Sequence, residues 1–382
     1  MNKRKRIKNL KRIIFKLGTN IIINDGGNIA LARIYSLLES LSELKEQGKE
    51  IILVTSGAVD MGAKILGNPK NYDPVSLKQA FAAVGQGHLM QFYEEAFKKF
   101  NIKTAQILLT ADDFSKRKNY LSMRNTLNAL LELGVIPIIN ENDVISTNEL
   151  ECYKENAVVI CFGDNDKLSA IVASKLDADL LVILSDVDGL YTGNPKTDKD
   201  LKMLSTVEEI TPEIESYCSI ASKGGRGGMK TKIEAAKIAV HSGSMVVIAN
   251  GKDPDVISKI FNAKEVGTLF LPMEQLSGRK KWIAFASNIS SYIKVNEGAK
   301  NALVNKKASL MPVGIIEIKN SFKKGDVIGI IDETDNEFAR GMTNYSSSEC
   351  KKVIGMHSEE IERFLGFKNY DTVITRDNIV IL

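Results

Sequence analysis

Short apolar runs recur through the first 250 residues, and each ends in small or polar residues before apolar positions at helical spacing begin. Ile13-Ile14-Phe15 leads into Lys16-Leu17-Gly18-Thr19-Asn20, followed by a helical pattern carrying Ile34, Leu37, Leu38 and Leu41. Residues 50–55 form a second apolar run, which meets Ser56-Gly57-Ala58-Val59 before another helix. Further strands are predicted at 105–109, 135–139, 180–184 and 245–249. Such near-continuous runs, separated by helices, predict an α/β fold with an open, mainly parallel sheet sandwiched between helices. In sheets of this kind ligands bind beyond the carboxyl ends of the strands.

The residues at those ends share a chemistry. They are Lys16, Gly18 and Thr19 after the first run, Ser56 and Gly57 after the second, Asn140-Glu141-Asn142-Asp143 after the fourth and Ser185-Asp186 after the fifth. Between the last two lies Phe162-Gly163-Asp164-Asn165-Asp166-Lys167-Leu168-Ser169-Ala170, where a turn-permitting Gly precedes two carboxylates and an amide. Leu168, Ile171, Val172 and Leu176 then follow at helical spacing, so a helix is predicted to open at about Asp164. Asp or Asn there reads either as an ordinary helix cap or as a group that orients an anion at the free N–H groups. A glycine-rich run, Lys223-Gly224-Gly225-Arg226-Gly227-Gly228-Met229-Lys230-Thr231-Lys232, leads into a helix whose Met229, Ile233, Ala236 and Val240 share one face. It has neither GxxxxGK[ST] nor GxGxxG spacing and reads either as a phosphate cradle with lysine countercharge or as a plain loop.

Composition narrows the class. At 382 residues, 44% hydrophobic and 26% charged, the chain can bury a full core and has room for two or three domains. The net charge of +4 is concentrated in Lys3, Arg4, Lys5, Arg6, Lys8, Lys11 and Arg12, a run expected to be a solvated basic tail over residues 1–11. Lys16 interrupts the apolar run that follows, which argues against a signal peptide, and no segment has the length of a membrane span. Cys152, Cys161, Cys218 and Cys350 form no CxxC pair, and His88, His241 and His357 lie far apart. No zinc site or disulfide framework is expected, and the expected location is cytoplasmic.

The pattern changes beyond residue 271. Residues 272–287, with Arg279-Lys280-Lys281-Trp282, read as a linker, and a second domain is expected over 288–382. There, strands at 292–295, 315–318 and 327–331 alternate with Gly and Asn turns, predicting a small β-rich barrel, with Lys323-Lys324-Gly325-Asp326 as a hairpin turn. Residues 291–382 hold 13 basic and 13 acidic side chains, which does not match the basic face of a nucleic-acid binder.

Taken together, Lys16-Leu17-Gly18-Thr19, Val54-Thr55-Ser56-Gly57-Ala58, Ala83-Val84-Gly85-Gln86, Asn140-Glu141-Asn142-Asp143, Gly163-Asp164-Asn165-Asp166 with Leu168-Ser169-Ala170, and Gly227-Gly228-Met229 with Thr231-Lys232 resemble the glutamate 5-kinases of the amino acid kinase family. The C-terminal part resembles the PUA domain that many of that family carry. The resemblance implies an amino acid kinase domain over 12–271 and ATP-dependent phosphorylation of the side-chain carboxylate of L-glutamate, the step that opens proline biosynthesis.

Carried over by motif, the resemblance implies that Lys16 and Lys232 hold the transferring phosphoryl group and that Asp166 orients both lysines. It assigns Ser56, Gly57, Asp143, Asp164 and Asn165 to glutamate, with Asp143 suited to the ammonium. Lys16, Ser185, Asp186, Arg226, Gly227, Gly228, Met229, Lys230, Thr231 and Lys232 would line ATP. Mg²⁺ would bridge the phosphates, and no protein residue is assigned to a metal. Implied partners are proline as feedback inhibitor, further copies in a dimer or tetramer, and a glutamyl phosphate reductase; membrane and nucleic acid are not expected.

Three departures from the family pattern stand out: Arg226 where Thr is usual, Ser185 where Thr is usual, and a longer stretch over 148–161. Two other readings remain. One is a family member acting on aspartate, acetylglutamate, carbamate or UMP. The other is a non-catalytic sensor or RNA-associated regulator, which would have little need to keep both lysines and Asp166.

Overall fold

The structure, a computed structural model, describes residues 3–24, 26–67, 73–110, 113–114, 117–146, 165–193, 201–219, 228–273, 283, 289–306, 308–356, 360, 364 and 370–382. The chain divides into two compact units, one of residues 1–149 with 161–275 and the other of residues 150–160 with 276–382.

In the first unit β1 (Arg12–Leu17), β2 (Glu50–Val54), β3 (Thr104–Leu109), β4 (Ile136–Glu141), β5 (Leu180–Ser185), β6 (Thr206–Val207), β7 (Met245–Asn250) and β8 (Thr268–Phe270) form one sheet. Their order is β3-β4-β2-β1-β5-β7-β8-β6, with every pairing parallel except β7 with β8. All six strands predicted from apolar runs are present. β6 and β8, at two and three residues, are too short to leave a period in the sequence.

Strand alternation sorts the side chains between two cores. Ile13, Phe15 and Leu17 of β1 face a cluster shared with Ile34, Leu37, Leu38 and Leu41 of α1 (Leu31–Glu46) and with Leu89, Tyr93 and Phe97 of a long helix. Ile14 faces the opposite cluster, built with Ile52, Val54 and Ile183. That second face is covered by Leu168, Ile171 and Val172 from one helix and by Ile233, Ala236 and Val240 from another. Lys16 falls on the Ile14 face by the same two-residue period, which places an ammonium under the two helices that carry Asp166 and Lys232.

Two helices follow β2, α2 (Ala58–Leu66) and α3 (Pro74–Lys98), the latter capped by Asp73, and α4 (Arg117–Glu132) lies between β3 and β4. Helices α2 and α3 cross backbone to backbone. A Cβ on Gly85 would lie 1.8 Å from the Ala58 carbonyl oxygen, and one on Gly62 would lie 1.8 Å from that of Phe81. Neither obstacle is a side chain that could turn aside. Gly85→Ala should therefore force the helices apart and lower the unfolding free energy by about 3 kcal/mol, the upper end for overpacking. A denaturant midpoint matching wild type would contradict this contact.

The basic stretch expected to be a solvated tail instead makes a 3₁₀ helix, Lys3–Asn9, with Arg4 and Ile7 buried. The Arg4 guanidinium donates to the carbonyls of Ser205, Val266 and Gly267 at 2.7, 2.7 and 2.8 Å, so its charge is turned inward onto the loop ends beside β6 and β8.

The second unit holds a five-stranded sheet in the order β10-β9-β11-β12-β13, from β9 (Tyr292–Val295), β10 (Ile315–Lys319), β11 (Val327–Ile331), β12 (Glu337–Met342) and β13 (Ile379–Ile381). Its core gathers Ile293, Val295, Leu303, Ile328, Ile330, Tyr345 and Ile374. The turn at 323–326 is present, with the Asp326 N–H donating to the Lys323 carbonyl and Gly325 at φ +88°. It does not make a hairpin, because β9 lies between β10 and β11 and pairs with both. A turn signal fixes local direction but not which strands become neighbours.

Candidate functional site

The strand order leaves β1 between two groups of strands. β2 and β4 lie to one side and β5 and β7 to the other, so a crevice at the carboxyl end of β1 touches both groups. Two helices begin above it: α5 (Asn165–Lys175) and α6 (Met229–His241). Helix starts present free N–H groups and partial positive charge.

Asp166, in the first turn of α5, is fully buried. Its Oδ1 lies 2.5 Å from Lys16 Nζ and its Oδ2 lies 3.1 Å from Lys232 Nζ. Thr231 Oγ1 also donates to Oδ2, at 3.2 Å. Lys16 is enclosed by its cross-strand neighbours Val54 and Ile183, so its side chain is also buried. Burial by itself would raise the carboxyl pKa of Asp166, but the two ammonium groups outweigh it and hold the carboxyl below its ordinary value. A capping aspartate needs neither lysine; this one gathers a strand residue and a helix residue that lie far apart in sequence.

On the β2 and β4 side, Asn165 Nδ2 donates to the Thr55 carbonyl at 2.7 Å, to Ser56 Oγ at 2.9 Å and to Asn140 Oδ1 at 3.0 Å. Gly57 caps α2 at φ +92°, the left-handed region where glycine carries no Cβ penalty, and so turns the chain sharply beside Ser56. Asp143 is half-buried in the turn that follows β4.

On the β5 side, Ser185 Oγ donates to Asp186 Oδ1 at 3.2 Å and Asn20 Nδ2 donates to Oδ2 at 3.0 Å. Burial pushes the Asp186 carboxyl up, but the Asn20 bond first and then smaller contributions, the Lys232 charge among them, leave it below its ordinary value. Gly228 is the cap residue of α6, Met229 opens the helix half-buried, and Lys230 faces outward. Asp164, Arg226 and Gly227 lie outside the described residues, as does most of the glycine run.

The structure therefore brings together Lys16, Asp166 and Lys232, and separately Ser56 and Asn165. Sequence reasoning gave no role to Thr55, Asn140, Gln86 or Asn20, although all four stand inside stretches that it singled out. Among the described residues no group of three or more His, Cys, Asp and Glu side chains could hold a metal ion, and no helix is long and apolar enough to cross a membrane.

Residues 11–250 match the amino acid kinase family and residues 291–365 match the PUA domain. The chain is 46% identical to the glutamate 5-kinase of Methanosarcina mazei, over 98% of this chain and 97% of that one. It is 43% identical to the glutamate 5-kinase of Caldanaerobacter subterraneus subsp. tengcongensis, over 97% and 98%. To that of Geobacter sp. it is 42% identical, over 98% and 99%. With the family match spanning residues 11–250 and relatives that align end to end, the chain belongs to the amino acid kinase family, within its glutamate 5-kinase branch.

Proposed function

We propose that this chain transfers the γ-phosphoryl group of ATP to the side-chain carboxylate of L-glutamate, giving glutamyl 5-phosphate and ADP, the first step of proline biosynthesis. The observation that supports this best is Asp166 holding Lys16 and Lys232 together at the crevice between the two groups of strands. A carboxylate attacking a polyphosphate meets like charge, so cations must sit where the phosphoryl group passes without blocking the line of attack. Binding Asp166 does not require all three N–H donors of an ammonium, which suits both lysines to phosphate oxygens.

In this reading Ser56, Gly57, Asn165, Asp143 and Asp164 bind glutamate. Ser185, Asp186 and residues 226–232 line the nucleotide, and Asp166 orients the lysines. The nucleophile is ionised at neutral pH, so the protein supplies position and charge and need not supply a base. The described residues do not build a metal cage, and Mg²⁺ accompanying ATP would be held chiefly by the phosphates, whose charge it neutralises. A cytoplasmic enzyme, proline as feedback inhibitor at the acceptor side, a homo-oligomer and delivery of product to a glutamyl phosphate reductase complete the proposal.

The test is ADP release with glutamate, aspartate and acetylglutamate supplied separately. Only glutamate should support turnover, and release with aspartate alone would move the chain to another branch of the family. Ser56→Ala, Asn165→Ala and Asp143→Ala should each raise the KM for glutamate more than the KM for ATP. A selective rise in the ATP KM would reverse the division of the site.

A further inference from the structure

Behind Asn165 runs a chain of amides whose direction is set by one backbone bond. The Glu141 N–H donates to Asn140 Oδ1 at 2.9 Å, so the oxygen of that side chain is fixed and its nitrogen must point the other way. That nitrogen donates to Gln86 Oε1, on α3, at 2.8 Å in a buried contact. Asn140 Oδ1 also accepts from Asn165 Nδ2, which requires Asn165 to turn its own nitrogen inward and leaves its oxygen as the group on offer. The Thr55 carbonyl at 2.7 Å and Ser56 Oγ at 2.9 Å accept from the same nitrogen, whose two protons are shared over three acceptors, and a Ser56 oxygen that accepts keeps its own proton to donate. Asn165 Oδ1 and Gln86 Nε2 are buried polar atoms with no hydrogen-bond partner among the described residues. An unpartnered buried amide oxygen is costly unless something bound completes it.

We propose that Gln86 is a positioning residue for the acceptor: by holding Asn140 in place it works with the Thr55 carbonyl to keep Asn165 and Ser56 presenting one acceptor and one donor to an α-amino acid. This rests on the glutamate reading above. The polarity suits a zwitterion, with Asn165 Oδ1 taking an ammonium N–H and the Ser56 hydroxyl giving its proton to a carboxylate. Gln86 touches neither group itself. It lies on the face of α3 that meets the sheet, in the helix held against α2 by Gly85. An apolar side chain would fill that place equally well if packing were all that mattered.

Gln86→Met keeps the length and removes the oxygen that Asn140 needs. Gln86→Asn falls one methylene short of it and serves if the first variant does not fold. Gln86→Glu restores an acceptor. Initial rates of ADP release are measured against glutamate and against ATP, with thermal melting for each variant. The glutamate KM should rise on the order of tenfold in Gln86→Met and Gln86→Asn, the loss for one well-placed buried hydrogen bond. The ATP KM should stay at its wild-type value and turnover at saturating glutamate within about threefold. Gln86→Glu should recover much of the glutamate KM despite a melting temperature no higher than that of Gln86→Met. An unchanged glutamate KM in the folded Met or Asn variant would overturn the role, and so would an equal rise in both KM values or a Glu variant no better than Met. Absence of glutamate-dependent ADP release in the wild type would instead defeat the reading on which this one stands.

Discussion

Lys16→Ala and Lys232→Ala are each expected to lower turnover by a factor on the order of 10²–10³, the usual cost of removing one group that stabilises developing charge. Both nitrogens are pinned by the same buried carboxylate, so neither lysine can substitute for the other by swinging across. Removing one still leaves Asp166 with a counter-ion, so folding should suffer far less than catalysis. Rates of ADP release at saturating glutamate and ATP, beside circular dichroism of each variant, separate the two effects. Turnover within a few-fold of wild type in folded Lys16→Ala would remove that residue from the chemistry.

Asp166→Asn should be the more damaging change, because it touches stability and turnover together. It takes the shared carboxylate from two buried ammonium groups and leaves them facing each other, a loss of about 3–5 kcal/mol for breaking a buried ion pair. The pH dependence carries a definite sign. The Asp166 carboxyl sits below its ordinary value in the folded protein, so its contribution is complete above the unfolded carboxylate pKa and disappears as pH falls through the lower folded one. The asparagine variant has no such contribution at any pH. Its deficit in melting temperature should therefore be widest near neutrality and narrow below about pH 4. A deficit that stays constant from neutral to acid conditions would mean that Asp166 is not the ionised partner of the lysines.

Much of the first unit was legible because buried parallel strands write themselves as apolar runs, and the runs of β1, β2 and β4 led into Lys16, Ser56 and Asn140, which now meet Asp166 and Asn165. Lys16 was conspicuous for that reason. What escaped prediction depends on pairing across the fold. Gln86 lies on a helix 54 residues before Asn140, and nothing local marks one glutamine in an amphipathic helix as the partner of a distant amide. Arg4 was read with its basic neighbours because a charge run gives no sign of which side chain turns inward. The turn at Gly325 was correctly placed but joined strands that are not neighbours, since turn residues specify a bend and not a register. Arg226 and the stretch over 148–161, two of the three departures from the family pattern, lie outside the described residues.

The site is stitched from segments far apart along the chain: Lys232 reaches back 66 residues to Asp166, and Asn165 reaches back 110 to Thr55. Contacts this distant close large loops and form late, after local helices and neighbouring strands. During synthesis the constellation cannot exist until Lys232 has left the ribosome, so a nascent chain stopped after β5 could bury much of its sheet and still lack one of the two lysines that flank Asp166. In refolding from denaturant, helical ellipticity should accordingly return before phosphotransfer, with activity regained only as the two sides of β1 close around Asp166.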